Sequence, residues 1–245
     1  MDLEQKSLVP QRIVKMNKQL ALAIKLNDEA TLDDFNWGNN TLLQQQLIEM
    51  LSFKADRLLY LWGPKGSGKS HLLQACCQAI NLTQSAIYLP LAFLKEWGPQ
   101  SIEGLEDQTL ICIDDINTIA NDSAWEEALF HLYNKIKDSE RSLLIISGNQ
   151  PPIKCDIKLA DLRSRLSWGL VIQLNELNDD EKINTLKMRA AKRGFELPES
   201  VGHFLLNRCS RNMHDLYEIL NQLDDASWEA HRKITIPFVK NILKI

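Results

Sequence analysis

The sequence predicts a parallel α/β sheet built around a phosphate-binding loop, followed by a small all-helical unit. Three observations predict it. Short apolar runs without alternation, the pattern of strands buried on both faces, recur between helical stretches. A glycine-rich segment joins the first run to a helix. After Leu174 the strands stop and only helical periodicity continues.

The elements follow in order. Residues 1–30 are a polar lead-in, read as a flexible arm, with one alternating stretch from Gln19 to Ile24. Leu42, Leu43, Leu47, Met50 and Leu51 mark an amphipathic helix. Leu58–Trp62 is the first strand, and a helix is expected over 69–80. Further strands are expected at 86–89, 109–113, 143–146 and 170–174. A helix over 124–137 opens with Ser123 and Glu126 in a capping-box spacing. Helices over 178–193, ended by Gly194, over 198–208 and over 212–230, then a short one after Pro237, complete the chain. The expected units are 1–30, 31–176 and 177–245.

The net charge of −4 does not advertise a nucleic-acid-binding face, although it leaves room for a local basic patch. Five cysteines without a C-x-x-C pair suggest neither a disulfide framework nor a zinc site, and fit a reducing cytoplasm. No apolar run approaches membrane-spanning length and no signal-peptide pattern opens the chain, so no membrane partner and no export are expected.

Gly63-Pro64-Lys65-Gly66-Ser67-Gly68-Lys69-Ser70 fits G-x-x-x-x-G-K-[ST]. Phosphate oxygens need donors from several directions. Glycines let backbone N–H groups turn inward, and the following helix adds its positive end. Lys69 is expected at the β/γ-phosphates of ADP or ATP and Ser70 at Mg2+. The strand reaching Asp114-Asp115 supplies the metal-and-water station, with Asp114 toward Mg2+ and Asp115 as the water-activating carboxylate. The strand ending in Ser147-Gly148-Asn149 could bring Asn149 to the γ-phosphate, but this segment is equally a turn.

These elements, in this order and followed by a helical lid, resemble the AAA+ ATPases. Asp114-Asp115-Ile116, the segment from Ser164 to Gly169 and the segment from Leu32 to Gly38 are similar to the Walker B, the box VII and the adenine-covering segment of the initiator DnaA. The stretch from Arg193 to Glu199, an ending at Ile245 where DnaA continues into a DNA-binding domain, and Gln19-Leu20-Ala21-Leu22-Ala23-Ile24 resemble the DnaA-inactivating branch.

That resemblance implies a bacterial, cytoplasmic and nucleoid-associated regulator, with weak or no ATPase activity of its own. It implies that Gln19, Leu20, Leu22 and Ile24 bind the DNA polymerase III β sliding clamp, with DNA met mainly through the clamp. It also implies that Arg165 acts as an arginine finger on ATP held by DnaA. By alignment, His214 takes the place of the lid arginine, with Arg208 and Arg211 nearby. Homo-oligomers are compatible with this class.

Alternatives stay open on the residues themselves. The Gln19–Ile24 alternation also suits an edge strand or a packed helix. The pattern gives Arg163 a solvated helix face and Trp168 core packing. Lys182, Lys187, Arg189, Lys192 and Arg193 form a basic helix that is solvent-facing or touches DNA. The competing function is a DnaA-like ATPase or helicase loader acting on DNA, with a passive clamp adaptor as a third.

Overall fold

The computed structural model describes residues 26, 30–54, 56–139, 141–230 and 232–245. The clamp-peptide residues Gln19, Leu20, Leu22 and Ile24 lie outside them. The strands are β1 (Leu58–Trp62), β2 (Ala86–Pro90), β3 (Leu110–Asp114), β4 (Leu143–Gly148) and β5 (Leu170–Gln173). They form one parallel sheet in the order β2-β3-β4-β1-β5. Packed with it are α1 (Thr41–Leu51), α2 (Lys69–Asn81), the short α3 (Leu91–Leu94), α4 (Ser123–Ser139) and α5 (Ala160–Leu166).

The two-residue period of a strand explains why the central runs are apolar throughout. In β3, Ile111 and Ile113 enter one core while Leu110 and Cys112 enter the other. In β4, Leu144 and Ile146 face the first core, and Leu143 and Ile145 the second. The first core is closed by Trp125, Leu129, Leu132 and Ile136 of α4. The second is closed by α1 and by the Leu72, Leu73, Cys76 and Cys77 face of α2. Cys76, Cys77, Cys112 and Cys155 are free, buried thiols, in keeping with cysteine as a small apolar residue. Leu26 also packs on the second core, and Ala30 is fully buried.

Four more helices gather round a third core: α6 (Asp179–Lys192), α7 (Glu199–Arg208), α8 (Met213–Ala230) and α9 (Ile236–Leu243). Helix α6 begins with a full capping box. The Asn178 side chain accepts from the Glu181 N–H at 2.9 Å, and Glu181 accepts from the Asn178 N–H at 2.7 Å. It stops at Gly194, whose φ of +88° suits a residue without Cβ. Among the described residues no helix is long and apolar enough to cross a membrane.

The start of α4 corrects the sequence reading. Ser123 is already helical, and the cap is Asp122, whose Oδ1 accepts from the Trp125 N–H at 3.3 Å. Glu126 does not reach back to a Ser123 cap. It is 1% exposed and accepts backbone N–H groups from Asn121 (2.9 Å), Lys158 (3.0 Å) and Leu159 (2.7 Å). A capping motif read from spacing is in fact a buried anchor for the loop that enters α5.

The basic face of α6 also differs from a solvated one. Lys182 is buried and donates to the Arg211 carbonyl at 2.9 Å. Lys187 meets Glu199 at 3.4 Å, and Lys192 bonds to Asp34, whose carboxyl this amine holds below its usual range. Arg189 lies over the Tyr217 ring, and Arg193 faces Asp224 at 4.0 Å. Each of these cations thus has a partner within the molecule, while Lys187 and Lys192 keep exposed side chains.

Candidate functional site

The loop from Gly63 to Gly68 lies between the tip of β1 and α2. Its geometry explains its glycines. Gly66 and Gly68 have φ of +88° and +101°. A Cβ on Gly63 would run into the Leu174 carbonyl. A Cβ on Gly66 would stand 2.6 Å from Asn212 Oδ1. The loop is therefore held by the end of β5 behind it and by the start of α8 in front. Ser67 Oγ is buried with no hydrogen-bond partner. Lys65 belongs to the same loop and exerts an attractive charge effect on Asp115. Lys69 is 8% exposed and donates to the Gly63 and Pro64 carbonyls at 2.8 and 2.9 Å. Burial lowers its pKa, and Asp114 and Asp115 oppose that shift. An orphaned hydroxyl, a buried ammonium and a glycine cradle suit a phosphate group.

Asp114 ends β3, 6% exposed. Ser147 Oγ donates to its Oδ1 at 2.5 Å, and Tyr88 Oη donates to its Oδ2 at 2.6 Å. Ser147 Oγ accepts in turn from the Asp115 N–H at 2.8 Å. Ser70 and Gln74 of α2 lie near the Tyr88 hydroxyl. Ser70 and Asp114 thus stand on either side of a tyrosine. Their oxygens are the donor type that Mg2+ takes.

Asp115 has a left-handed backbone (φ 58°, ψ 62°), a conformation that concentrates at functional sites. Its Oδ1 is buried without a partner. Burial and the neighbouring Asp114 raise its pKa, with Lys69 and Lys65 pulling the other way. Proton uptake there favours the folded state, so this group's contribution to stability falls as pH rises above the carboxylate range.

At the β4 tip, Ser147 rather than Asn149 touches the two aspartates. Asn149 is exposed, and its N–H donates to Asn117 Oδ1 at 2.7 Å. The tip remains close to the loop, because the Gly63 N–H donates to the Gly148 carbonyl at 3.2 Å. Sequence reasoning missed Tyr88 and Ser147, which no spacing rule flags.

Next to the loop is a cleft lined by Phe35, Asn40, Gly68, His71, Leu174 and Tyr217. Phe35 stacks edge-on with Trp37 at 4.7 Å and lies near His71 at 5.8 Å. Asn36 donates to Thr185 Oγ1 at 2.7 Å and the Glu181 carbonyl at 3.2 Å, tying this segment to α6. A small cleft walled by Phe35, His71 and Leu174 therefore adjoins the phosphate cradle. On the helical side, Asn212 abuts Gly66. His214 is exposed, with only its N–H engaged, by Asn212 Oδ1 at 2.9 Å. Arg211 pairs with Asp179 at 3.5 Å and Arg208 is exposed.

Arg165 lies on the far side, on α5. Its guanidinium stacks over Trp168 at 4.1 Å, and Lys137 covers the same ring at 4.0 Å. Trp168 is 56% exposed, so it is a surface platform for two cations and not core packing. Arg163 is not solvated, since it is half-buried and donates to the Ile157 carbonyl at 3.1 Å.

Comparison with known proteins follows this geometry. The family model described as "Hda, lid domain" matches residues 179–243, and the one described as "Bacterial DnaA ATPAse domain" matches residues 100–173. A Haemophilus influenzae protein described as uncharacterized is 45% identical over 231 residues, spanning 94% of this chain and 100% of that one. Domain III of the Thermotoga maritima replication initiation protein DnaA superposes with a TM-score of 0.76 at 20% identity, covering 90% of this chain and 98% of that one. AMPPCP-bound DnaA from Aquifex aeolicus gives a TM-score of 0.69 at 22% identity, covering 84% of this chain and 68% of that one. Thermotoga maritima RuvB gives 0.65 at 17% identity, covering 88% and 71%. At those identities the solved structures speak for the fold: an AAA+ parallel sheet with a helical lid. Taken with the matches in sequence, they show that the chain belongs to the Hda/DnaA-related AAA+ family.

Proposed function

We propose that this protein is a negative regulator of replication initiation which, holding ADP and bound to the sliding clamp, stimulates ATP hydrolysis by DnaA. The observation that carries the reading is the buried phosphate cradle closed by the lid, with Ser67 Oγ and Lys69 turned into it. The match of the lid to the Hda description directs that cradle toward regulation of DnaA. The nucleotide's phosphates would take the backbone N–H groups from Pro64 to Gly68 and the Lys69 ammonium, which would leave its loop carbonyls. The base would enter the cleft beside Phe35 and His71. Ser70 and Asp114 are the oxygen donors that a Mg2+ ion on those phosphates would need. Arg165 would act in trans on DnaA's ATP. The decisive experiment is a DnaA ATPase assay with this protein, with and without DNA-loaded clamp. Stimulation only with loaded clamp is expected, and its absence in both arms rejects the reading.

Two variants test its parts. Lys69→Ala should abolish ADP binding by calorimetry and the thermal stabilisation that ADP gives, since a ligand bound only by the folded state stabilises it by mass action. Unchanged ADP affinity would contradict the phosphate-site assignment. Replacing Gln19 and Leu20 together by Ala should remove clamp capture with an unchanged melting curve, as an extended peptide seated in a groove requires. Retained capture, or a collapsed melt, contradicts the peptide reading.

One observation favours the second reading, that the chain hydrolyses ATP itself. Asp115 has an unpartnered carboxyl oxygen and a raised pKa beside the cradle, as a general base needs. Turnover of ATP by the isolated protein, lost in Asp115→Asn, would establish it.

A further inference from the structure

Tyr88 stands on the edge strand β2, in register with Cys112 of β3, and Pro90 pairs with Asp114. Its side chain therefore reaches two pairs along the ladder to the carboxyl that ends β3. The ring is half-buried and packs on the α1/α2 core, so its direction is fixed by packing. The hydroxyl lies at the junction of three groups. It donates to Asp114 Oδ2 at 2.6 Å, with Ser70 and Gln74 of α2 near it. The other carboxyl oxygen is taken by Ser147, which the Asp115 N–H holds in turn. Asp114 cannot swing away from Tyr88 without breaking that second relay.

A divalent cation at Ser70 needs room for itself and for the water through which Asp114 would hold it. Mg2+ also demands near-octahedral oxygens at about 2.0–2.1 Å. A phenol hydroxyl in that gap is one neutral oxygen on a rigid ring.

Resting on the nucleotide reading of the loop, we propose that Tyr88 is a metal-excluding gate. Its hydroxyl ties up Asp114 Oδ2 beside Ser70, so the chain holds a nucleoside diphosphate without need of Mg2+. The consequence for nucleotide choice follows from charge. Without a divalent cation, Lys69 and the loop N–H groups alone offset the phosphates, and they suit the smaller charge of a diphosphate better than a triphosphate. Preference for ADP is thereby built into β2, outside the glycine-rich loop and outside the lid.

The test is ADP titration calorimetry in EDTA and in excess Mg2+, on the full chain and on Tyr88→Phe, with melting curves for both. The wild-type affinity should not rise on adding Mg2+, which itself complexes free ADP, and that of Tyr88→Phe should rise by about tenfold or more. A wild-type gain of tenfold or more overturns the gate, and this arm decides the matter even if the variant fails to fold. A folded Tyr88→Phe that remains as indifferent to Mg2+ as the wild type also overturns it. Mn2+ electron paramagnetic resonance gives an independent readout: adding protein to a Mn2+–ADP mixture should not lower the free-ion signal further for the wild type and should lower it for Tyr88→Phe. If wild type shows no ADP binding in either medium, the failure belongs to the nucleotide reading itself, a result distinct from Mg2+-enhanced binding.

Discussion

Arg165→Ala should remove stimulation of DnaA's ATPase while leaving a folded protein that still binds ADP and clamp. An arginine finger supplied in trans is worth about 10³–10⁵ in rate, because a planar, permanently charged fork meets the phosphate oxygens in the transition state. The stacking of Arg165 on Trp168 does not oppose this. A cation–π contact at an exposed ring is worth about 0.5–1 kcal/mol. A rate factor of 10³–10⁵ corresponds to roughly 4–7 kcal/mol. Release from the ring is therefore a small toll. It follows that Trp168→Ala should change stimulation by no more than a few-fold, and that Arg165→Lys should rescue little, since a point charge cannot reproduce the fork. ATPase rates for the three variants, beside their melting curves, separate a finger from a brace. A finger leaves the Arg165→Ala melt nearly unchanged, whereas a brace lowers it and leaves any residual stimulation proportional to folded protein.

Glu126→Ala should be as destabilising as truncating a large core side chain. The 1%-exposed carboxyl of Glu126 takes three backbone N–H groups from two segments of chain, at 121 and at 158–159. Truncation leaves those donors without partners, and each buried unsatisfied donor costs about 1–3 kcal/mol. Partial rescue by entering water reduces the sum, so a loss of about 3–5 kcal/mol is expected, equivalent to a fall in Tm of roughly 10 °C. Glu126→Gln keeps one acceptor and should lose about half as much. Chemical denaturation at neutral pH measures both. A loss below about 1 kcal/mol for the alanine variant would mean that the loop entering α5 finds other acceptors.

The sheet and the helical lid were legible because their physics is local. Continuous apolar runs such as Leu110–Ile113 and Leu143–Ile146 must be covered on both faces, and the Asn178/Glu181 and Gly194 signals bound α6 from within its own sequence. The glycine loop was legible for a related reason, since backbone turned toward a phosphate restricts which residues fit. What the sequence hid depends on distant partners. Glu126 has the spacing of a cap and the job of an anchor, because its acceptors face residues some thirty positions away. Trp168 reads as core by residue type, yet Lys137 and Arg165 hold it at the surface. The α6 cations read as solvated because Asp34, Glu199 and Tyr217 come from three other segments. Tyr88 carries no local signal; only the β2–β3 register brings it to Asp114.

The strand order has a consequence for how the protein is made. β1 is emitted by the ribosome early, yet both of its neighbours, β4 and β5, are encoded far downstream: Leu58 pairs with Leu144 and Leu59 with Leu170. At about 5–20 residues per second, the interval between synthesis of Leu58 and of Leu144 is roughly 4–17 s. Throughout that time Leu59, Tyr60 and Leu61, all destined for burial, have no ladder to join. Helix α2 and the β2–β3 pair can form meanwhile, since their contacts are closer in sequence. The nascent chain must therefore carry an unpaired apolar strand until β4 emerges, and its yield in cells should respond to holdase chaperones and to translation rate more sharply than its equilibrium stability would suggest.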